Sequence, residues 1–238
     1  MTITSVRNPL VRSVVGLHTA KGRRLAGQVL VEGPTVVTEA LEAGIRPALL
    51  LTTDAERWSG VADRVEAVSD VVLAKAATTR SPQEPVAVLD RPRPAAQRPS
   101  RLVAWGITDP GNLGTMVRTA AALGVDVVVG GSGSVDPWSP KAIRAGAGAH
   151  FRTAVAEVDS FDDALDGRVG LALVVDGGAM PAAPADGRWA LVVGSEAHGL
   201  PPDVVEGCRP TTLPMPGGTE SLNAAVAASV ALYALVVG

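Results

Sequence analysis

Residues 101–130, RLVAWGITDPGNLGTMVRTAAALGVDVVVG, decide the architecture. An apolar run predicts a strand over Leu102–Ile107, Asp-Pro-Gly-Asn predicts a turn, and apolar residues at helical spacing predict a helix over Leu113–Leu123. A second strand follows at Asp126–Val129. Two strands joined by a helix form a βαβ unit, whose strands run parallel. The alternation continues with helices at Pro140–Ala147 and Phe161–Leu165, strands at Gly170–Val175, Trp189–Val193 and Thr211–Leu213, and a helix at Ser221–Val237. Near-continuous apolar strands such as LALVV (171–175) and ALVV (190–193) suit a parallel sheet covered on both faces. The fold class is therefore α/β.

Before this block the pattern predicts a helix around 8–20, a strand at Gln28–Val31, a helix at Pro34–Ala43, and strands near Ala48–Thr52 and Val86–Val88. Residues 1–89 thus read as a small α/β domain. DRPRPAAQRPS, residues 90–100, reads as an extended Pro/Arg-rich linker, and 101–238 as the second domain. The last helix, SLNAAVAASVALYALVV, is apolar nearly all round yet too short to span a bilayer. It is expected to be buried against its sheet, a partner subunit or both, with a homodimer as the leading expectation and burial within one subunit as the alternative.

The whole chain of 238 residues carries a net charge of −3, with 47% apolar and 3% aromatic residues, which excludes disorder. The charge is uneven. Residues 1–89 sum to +1, the linker to +2 and 101–238 to −6, and Arg7, Arg12, Lys21, Arg23 and Arg24 all precede the first acidic residue, Glu32. These cations are candidate phosphate contacts, with a solvated helix face as the plainer account. One cysteine, Cys208, excludes an internal disulfide framework, and three scattered histidines lack metal spacing, so no metal is expected. No apolar stretch reaches membrane-spanning length, and Arg and Lys interrupt the first residues throughout, so a cytoplasmic location is expected. The glycine run Gly130-Gly131-Ser132-Gly133 lacks the third glycine of a dinucleotide fingerprint, no G-x-x-x-x-G-K occurs, and no G-x-S-x-G marks a serine hydrolase.

Three segments carry polar residues that strand and helix formation do not require. In TDPGNLGTMVRTAAALG (108–124), Asn112 stands at the turn, where its side chain can cap the helix, and Arg118 follows beside the apolar stripe. A guanidinium there pairs with a carboxylate or awaits an anion. In LVVGSEAHGLPPDV (191–204), Glu196 lies at the carboxyl end of a strand, flanked by Gly194 and Gly199; it is a ligand-facing carboxylate or an ordinary turn residue. In LPMPGGTESLNAAVA (213–227), Ser221 is a candidate helix cap, while the amide of Asn223, at the base of an apolar helix, needs partners.

In this order the motifs N-x-G-x-x-x-R-T-A, G-x-E-x-x-G-L and L-P-M-x-G…S-L-N closely resemble the three motifs of the SpoU (TrmH) family of RNA ribose 2′-O-methyltransferases in the SPOUT superfamily. DPWSPKAIRAGAGAHFR (136–152) resembles the family's proline-lysine and arginine-glycine segment, with Gly146 where a serine is common. Ala224-Ala225 follows S-L-N where the family usually has Val-Ser. ITSVRNPLVRSVVGL, GRRLAGQVLVEGP and SPQEPVAVL resemble the small substrate-binding domain, similar to ribosomal proteins, that many members carry.

The resemblance implies a deep C-terminal trefoil knot in 101–238, an S-adenosylmethionine pocket formed by that knot, and a homodimer that completes the active site. It places Gly194, Leu213, Met215 and Leu222 around the cofactor and makes Asn112, Arg118, Glu196, Ser221 and Asn223 the polar catalytic set. Guanidinium stays protonated below a pKa of about 12, so Arg118 is expected to bind a substrate phosphate and stabilise alkoxide charge rather than take a proton. Glu196 is expected to orient Arg118 or to accept the proton through water, with Asn112 and Asn223 fixing Arg118 and the ribose. The implied function is ribose 2′-O-methylation of structured RNA, foremost 23S rRNA; members of this layout include antibiotic-resistance enzymes. The alternatives are a tRNA methyltransferase and a non-catalytic RNA-binding or ribosome assembly factor.

Overall fold

The computed structural model describes residues 2–92 and 98–238; part of the expected linker, residues 93–97, lies outside the described residues. The described residues form two compact units, and these do not follow the chain strictly. One holds the described residues up to 92 together with Trp138–Phe151, the other the described residues 98–137 together with Arg152–Gly238.

The first unit is built on a mixed sheet of β1 (Gln28–Glu32), β2 (Leu49–Thr52), β3 (Val65–Ala67) and β4 (Val86–Asp90), in the order β1-β4-β2-β3. β4 runs antiparallel to both β1 and β2, and β2 pairs parallel with β3. Its core joins Val11 and Val14 of α1 (Pro9–Gly16), Leu30, Leu51 and Val86 of the sheet, and Val72 and Leu73 of α4 (Asp70–Ala76). The helix expected over 8–20 is divided into α1 and α2 (Ala20–Ala26), because Thr19 caps a new helix by accepting from Gly22 N at 3.1 Å. A Cβ at Gly22 would lie 1.9 Å from the Gly16 carbonyl oxygen, so glycine alone permits this junction. α3 (Pro34–Glu42) matches its predicted span within one residue. The segment Trp138–Phe151, with α6 (Pro140–Ala145), packs against β1 although it lies far along the chain.

The second unit is a wholly parallel six-stranded sheet: β5 (Arg101–Trp105), β6 (Asp126–Gly130), β7 (Val155–Glu157), β8 (Val169–Leu173), β9 (Trp189–Val193) and β10 (Arg209–Thr211), in the order β10-β8-β9-β5-β6-β7. Val103, Val128, Ala190 and Val192 face Ala164 of α7 (Phe161–Leu165) and Val204 of α8 (Pro202–Glu206). α5 (Pro110–Ala122) and α9 (Ala224–Val237) pack on each other and on the sheet, α5 on β5 and β6, α9 on β9. The final strand ends earlier than the predicted Thr211–Leu213: Thr211 pairs with Leu173 of β8 on one side and Ala179 on the other, and Thr212 N donates to the Ala179 carbonyl at 2.8 Å. The segment leaving β8 therefore folds back along the segment leaving β10.

α9 buries Ala225, Ala228, Ala231, Leu232 and Leu235 but leaves Val226, Val230, Tyr233 and Val237 exposed at helical spacing, Tyr233 by 60%. Only half of this apolar helix is thus covered by its own chain. Among the described residues no helix is long and apolar enough to cross a membrane.

Candidate functional site

In the parallel sheet the chain turns outward in opposite directions on either side of the β9–β5 pair, and α/β sheets bind ligands at the carboxyl end of such a switch point. The segment after β5 supplies Thr108 and Asn112 there, and the segment after β9 supplies Ser195 and Glu196. Asp109, not Asn112, caps α5: its Oδ1 accepts from Asn112 N at 2.9 Å, and Pro110 takes the first helical position. The side chain of Asn112 is thereby free for other bonds. Its Nδ2 donates to Glu196 Oε1 at 2.6 Å, and its Oδ1 accepts from Asn223 Nδ2 at 3.0 Å.

Asn223 itself, not Ser221, caps α9, accepting from Ala225 N at 3.0 Å and Val226 N at 3.2 Å. The helix accordingly starts at Ala224 rather than at the expected Ser221, and the amide expected to need interior partners finds them in a cap and in Asn112. One relay, Asn223 to Asn112 to Glu196, ties three motifs together. Ser221 lies nearby, exposed.

Behind this relay is a cleft of about 620 Å³ in which Gly194, Leu213, Met215 and Leu222 are all lining residues, with Glu196, Ser221 and Asn223 at the same cleft. Ser195 and Gly199 exchange backbone hydrogen bonds of 3.1 and 2.9 Å, closing a tight loop around Glu196. A Cβ at Gly194 would meet the Gly199 backbone at 2.3 Å, and Gly199 has φ of +66°, so this loop requires both glycines of its motif. The walls are mostly apolar with a few polar groups at one side, as small-molecule sites commonly are. Among the described residues no group of His, Cys, Asp or Glu is placed to hold a metal.

Arg118 stands apart from the other expected catalytic residues. It lies six residues after Asn112 on α5, about 9 Å along the helix and about 120° away around it. It is exposed and has no hydrogen-bond or ion-pair partner among the described residues. Glu196 does not orient it within the chain, and neither asparagine fixes it. In the first unit Arg7, Arg12, Lys21 and Arg24 are exposed, but Arg23 is 4% exposed and donates to the carbonyls of Leu17 at 2.7 Å and His18 at 3.1 Å. Its guanidinium holds the α1–α2 junction, so it is withdrawn from the set of phosphate contacts. Thr108, missed in the sequence, reaches Glu196 Oε2 at 3.5 Å; nothing in an ordinary turn threonine signals that role.

Residues 99–233 match the model of the SpoU rRNA Methylase family, and residues 8–87 match that of the MRM3-like substrate binding domain. The chain is 33% identical over 244 residues, 98% of each chain, to the 23S rRNA (guanosine(2553)-2′-O)-methyltransferase RlmP of Bacillus subtilis. It is similar to the S-adenosylmethionine-bound rRNA methyltransferase from Sinorhizobium meliloti, with TM-score 0.82, 25% identity and coverage of 98% of this chain and 96% of that one. It is also similar to the SpoU methyltransferase AviRb from Streptomyces viridochromogenes in complex with the same cofactor, with TM-score 0.79, 28% identity and 97% coverage of both chains.

Proposed function

The chain belongs to the SpoU rRNA methylase family, and from that premise we propose that it transfers a methyl group from S-adenosylmethionine to a ribose 2′-hydroxyl of ribosomal RNA, foremost 23S rRNA. The observation that carries this reading is the Asn223–Asn112–Glu196 relay on the rim of the apolar cleft. The cleft fits the cofactor: Gly194 and Leu213 offer backbone groups, and Met215 and Leu222 offer apolar surface beside them. S-adenosylmethionine, when bound, supplies a methyl group activated by a sulfonium charge.

The residues of the chain have the remaining work of placing the hydroxyl, removing its proton and excluding water. A ribose hydroxyl is a very weak acid, so a base must take its proton as it attacks. Glu196, held by Asn112, is the carboxylate at the rim, and it accepts that proton through water. Asn223 holds Asn112 and so fixes the orientation of the carboxylate. Ser221, whose hydroxyl is exposed at the rim, binds the ribose. Much of the acceleration comes from this positioning.

Arg118 acts on the substrate phosphate in the site of a second copy. Its lack of a hydrogen-bond or ion-pair partner among the described residues supports that reading, as does the exposed apolar stripe of α9, a helix that packs on the α5 that carries Arg118. The homodimer buries Val226, Val230, Tyr233 and Val237. The first unit is the RNA-binding domain and grips folded RNA with Arg7, Arg12, Lys21 and Arg24 through phosphate contacts that weaken with salt. The enzyme works in the cytoplasm.

Incubation of unmethylated ribosomal RNA and of tRNA, separately, with labelled S-adenosylmethionine tests the reading. Label in ribosomal RNA at alkali-resistant linkages is expected. Label in tRNA alone moves the substrate to tRNA. Label on a base without ribose modification overturns the chemistry, and absence of cofactor binding even with RNA present favours an assembly factor.

A further inference from the structure

We propose that Trp105 is a platform on which a base of the RNA substrate stacks, in a cleft that adjoins the cofactor cleft across the Ser195–Gly199 loop. This inference rests on the chain acting on RNA. Of the four tryptophans, Trp58, Trp138 and Trp189 are buried, and Trp105 alone is only partly buried. It is the last residue of β5, at the carboxyl edge of the sheet where the relay sits.

Two neighbours hold its indole in place. The Phe161 ring meets it edge-on, with centroids 5.1 Å apart at 74°. On another side lie Gly130 and Gly131, where a Cβ would fall 2.6 Å from Cζ3 and 3.0 Å from Nε1 of the indole, respectively. The glycine run that fails as a dinucleotide fingerprint thus has a physical reason: any side chain there would take the place of the ring. An aromatic ring fixed in advance binds a stacking partner with little further loss of conformational entropy.

The ring lines a cleft of about 490 Å³ together with Thr108, Ser132, Glu196, His198 and Pro202. Glu196 and His198 also line the cofactor cleft, so whatever occupies one is adjacent to the other. Among the described residues no Lys or Arg lines it, which suits an uncharged base rather than a phosphate. The indole N–H has no partner among the described residues, and the exposed hydroxyls of Thr108 and Ser132 supply groups for the edge of a base. Unpaired bases splayed from folded RNA are commonly held by stacking on aromatic side chains.

Methylation of unmethylated ribosomal RNA by the full chain tests the assignment, comparing wild type with Trp105→Ala and Trp105→Phe. Base–aromatic stacking is of a size that makes the alanine variant raise the KM for RNA about ten-fold or more, with cofactor affinity by calorimetry unchanged and phenylalanine restoring most of the loss. Ultraviolet crosslinking of wild type to the same RNA is expected to attach a nucleotide to Trp105. An unchanged KM for RNA in Trp105→Ala overturns the proposal. If that variant does not fold, the crosslink decides: attachment at Trp105 supports the platform, and attachment only elsewhere overturns it. A wild-type chain that neither binds nor methylates RNA overturns the RNA reading itself, a failure distinct from a working enzyme indifferent to Trp105.

Discussion

The two edges of the parallel sheet use the same residue types to opposite ends. At the amino edge, Arg168 is almost fully buried and donates to the carbonyls of Pro99 and Arg98, each at 2.9 Å, and to Asp166 Oδ2 at 2.7 Å. Arg101 donates to the Ala164 carbonyl at 2.9 Å and to the same carboxylate at 3.0 Å. Both guanidinium groups are engaged by the chain itself, and the result is architecture. At the carboxyl edge Glu196, Ser221 and Asn223 are exposed, and farther along α5 Arg118 has no partner among the described residues. An arginine saturated by carbonyls holds a fold together, whereas one left open on a helix surface is available to an anion.

The largest effect that can break this contrast is Arg118→Lys. Loss of the planar guanidinium is expected to lower turnover about 1,000-fold while cofactor affinity holds, since a point charge does not replace forked hydrogen bonding at an oxyanion. Near-normal methylation in that variant overturns its role. Mixing Arg118→Lys with Glu196→Gln sharpens the test. If Arg118 serves the site of a second copy, each mixed dimer keeps one intact site, and random exchange recovers about a quarter of wild-type activity. If it serves its own site, the mixture stays inactive.

Arg168→Met should show the reverse pattern: a loss of stability of about 2–3 kcal/mol from carbonyls left without donors, with turnover per folded molecule unchanged. Denaturant unfolding and activity at matched folded fraction measure both; a variant stable but inactive would erase the distinction between the edges. Asn223→Ala lies between the two, because Asn223 is both cap and relay. It should cost about 1 kcal/mol as an N-cap and also lower kcat, whereas Asn223→Ser should restore the cap but not the bond to Asn112. Full recovery of activity with serine would leave Asn223 as a cap only.

The same contrast explains what was legible in the sequence. Strands such as Trp189–Val193 and the helix Phe161–Leu165 were readable to the residue because local pattern alone determines them. The three motifs located the carboxyl edge because strand and helix formation do not by themselves call for Glu196 beside two glycines or for asparagines at both helix starts. Roles set by distant partners were not readable. Arg23 looks like its neighbours in the basic run, yet Leu17 and His18 carbonyls claim it. Ser221 and Asn223 are both good caps on composition, and only the position of Asn112 favours the second. Trp138–Phe151 continues a helical pattern, but its packing on β1 is a tertiary matter. Trp105 is hidden in an apolar strand whose last side chain happens to emerge at the edge.

The smallest effect concerns Asp166, the hinge of the closed edge. The hydrogen bond from Arg168 above all, and then the charges of Arg101 and Arg168, hold its carboxyl below the usual aspartate range. A depressed folded-state value means that the ion pair stabilises the protein above an unfolded pKa of about 3.9, and that this contribution is lost as pH falls through the lower folded value. Asp166 has φ of +47°, a conformation that asparagine accepts, so Asp166→Asn removes the charge without straining the backbone. The variant should melt slightly below wild type at neutral pH, and the two melting curves should converge as the solution is made acidic. Curves that stay parallel down to pH about 2 would show that the carboxylate charge is irrelevant to the closed edge, and that neutral hydrogen bonds suffice there.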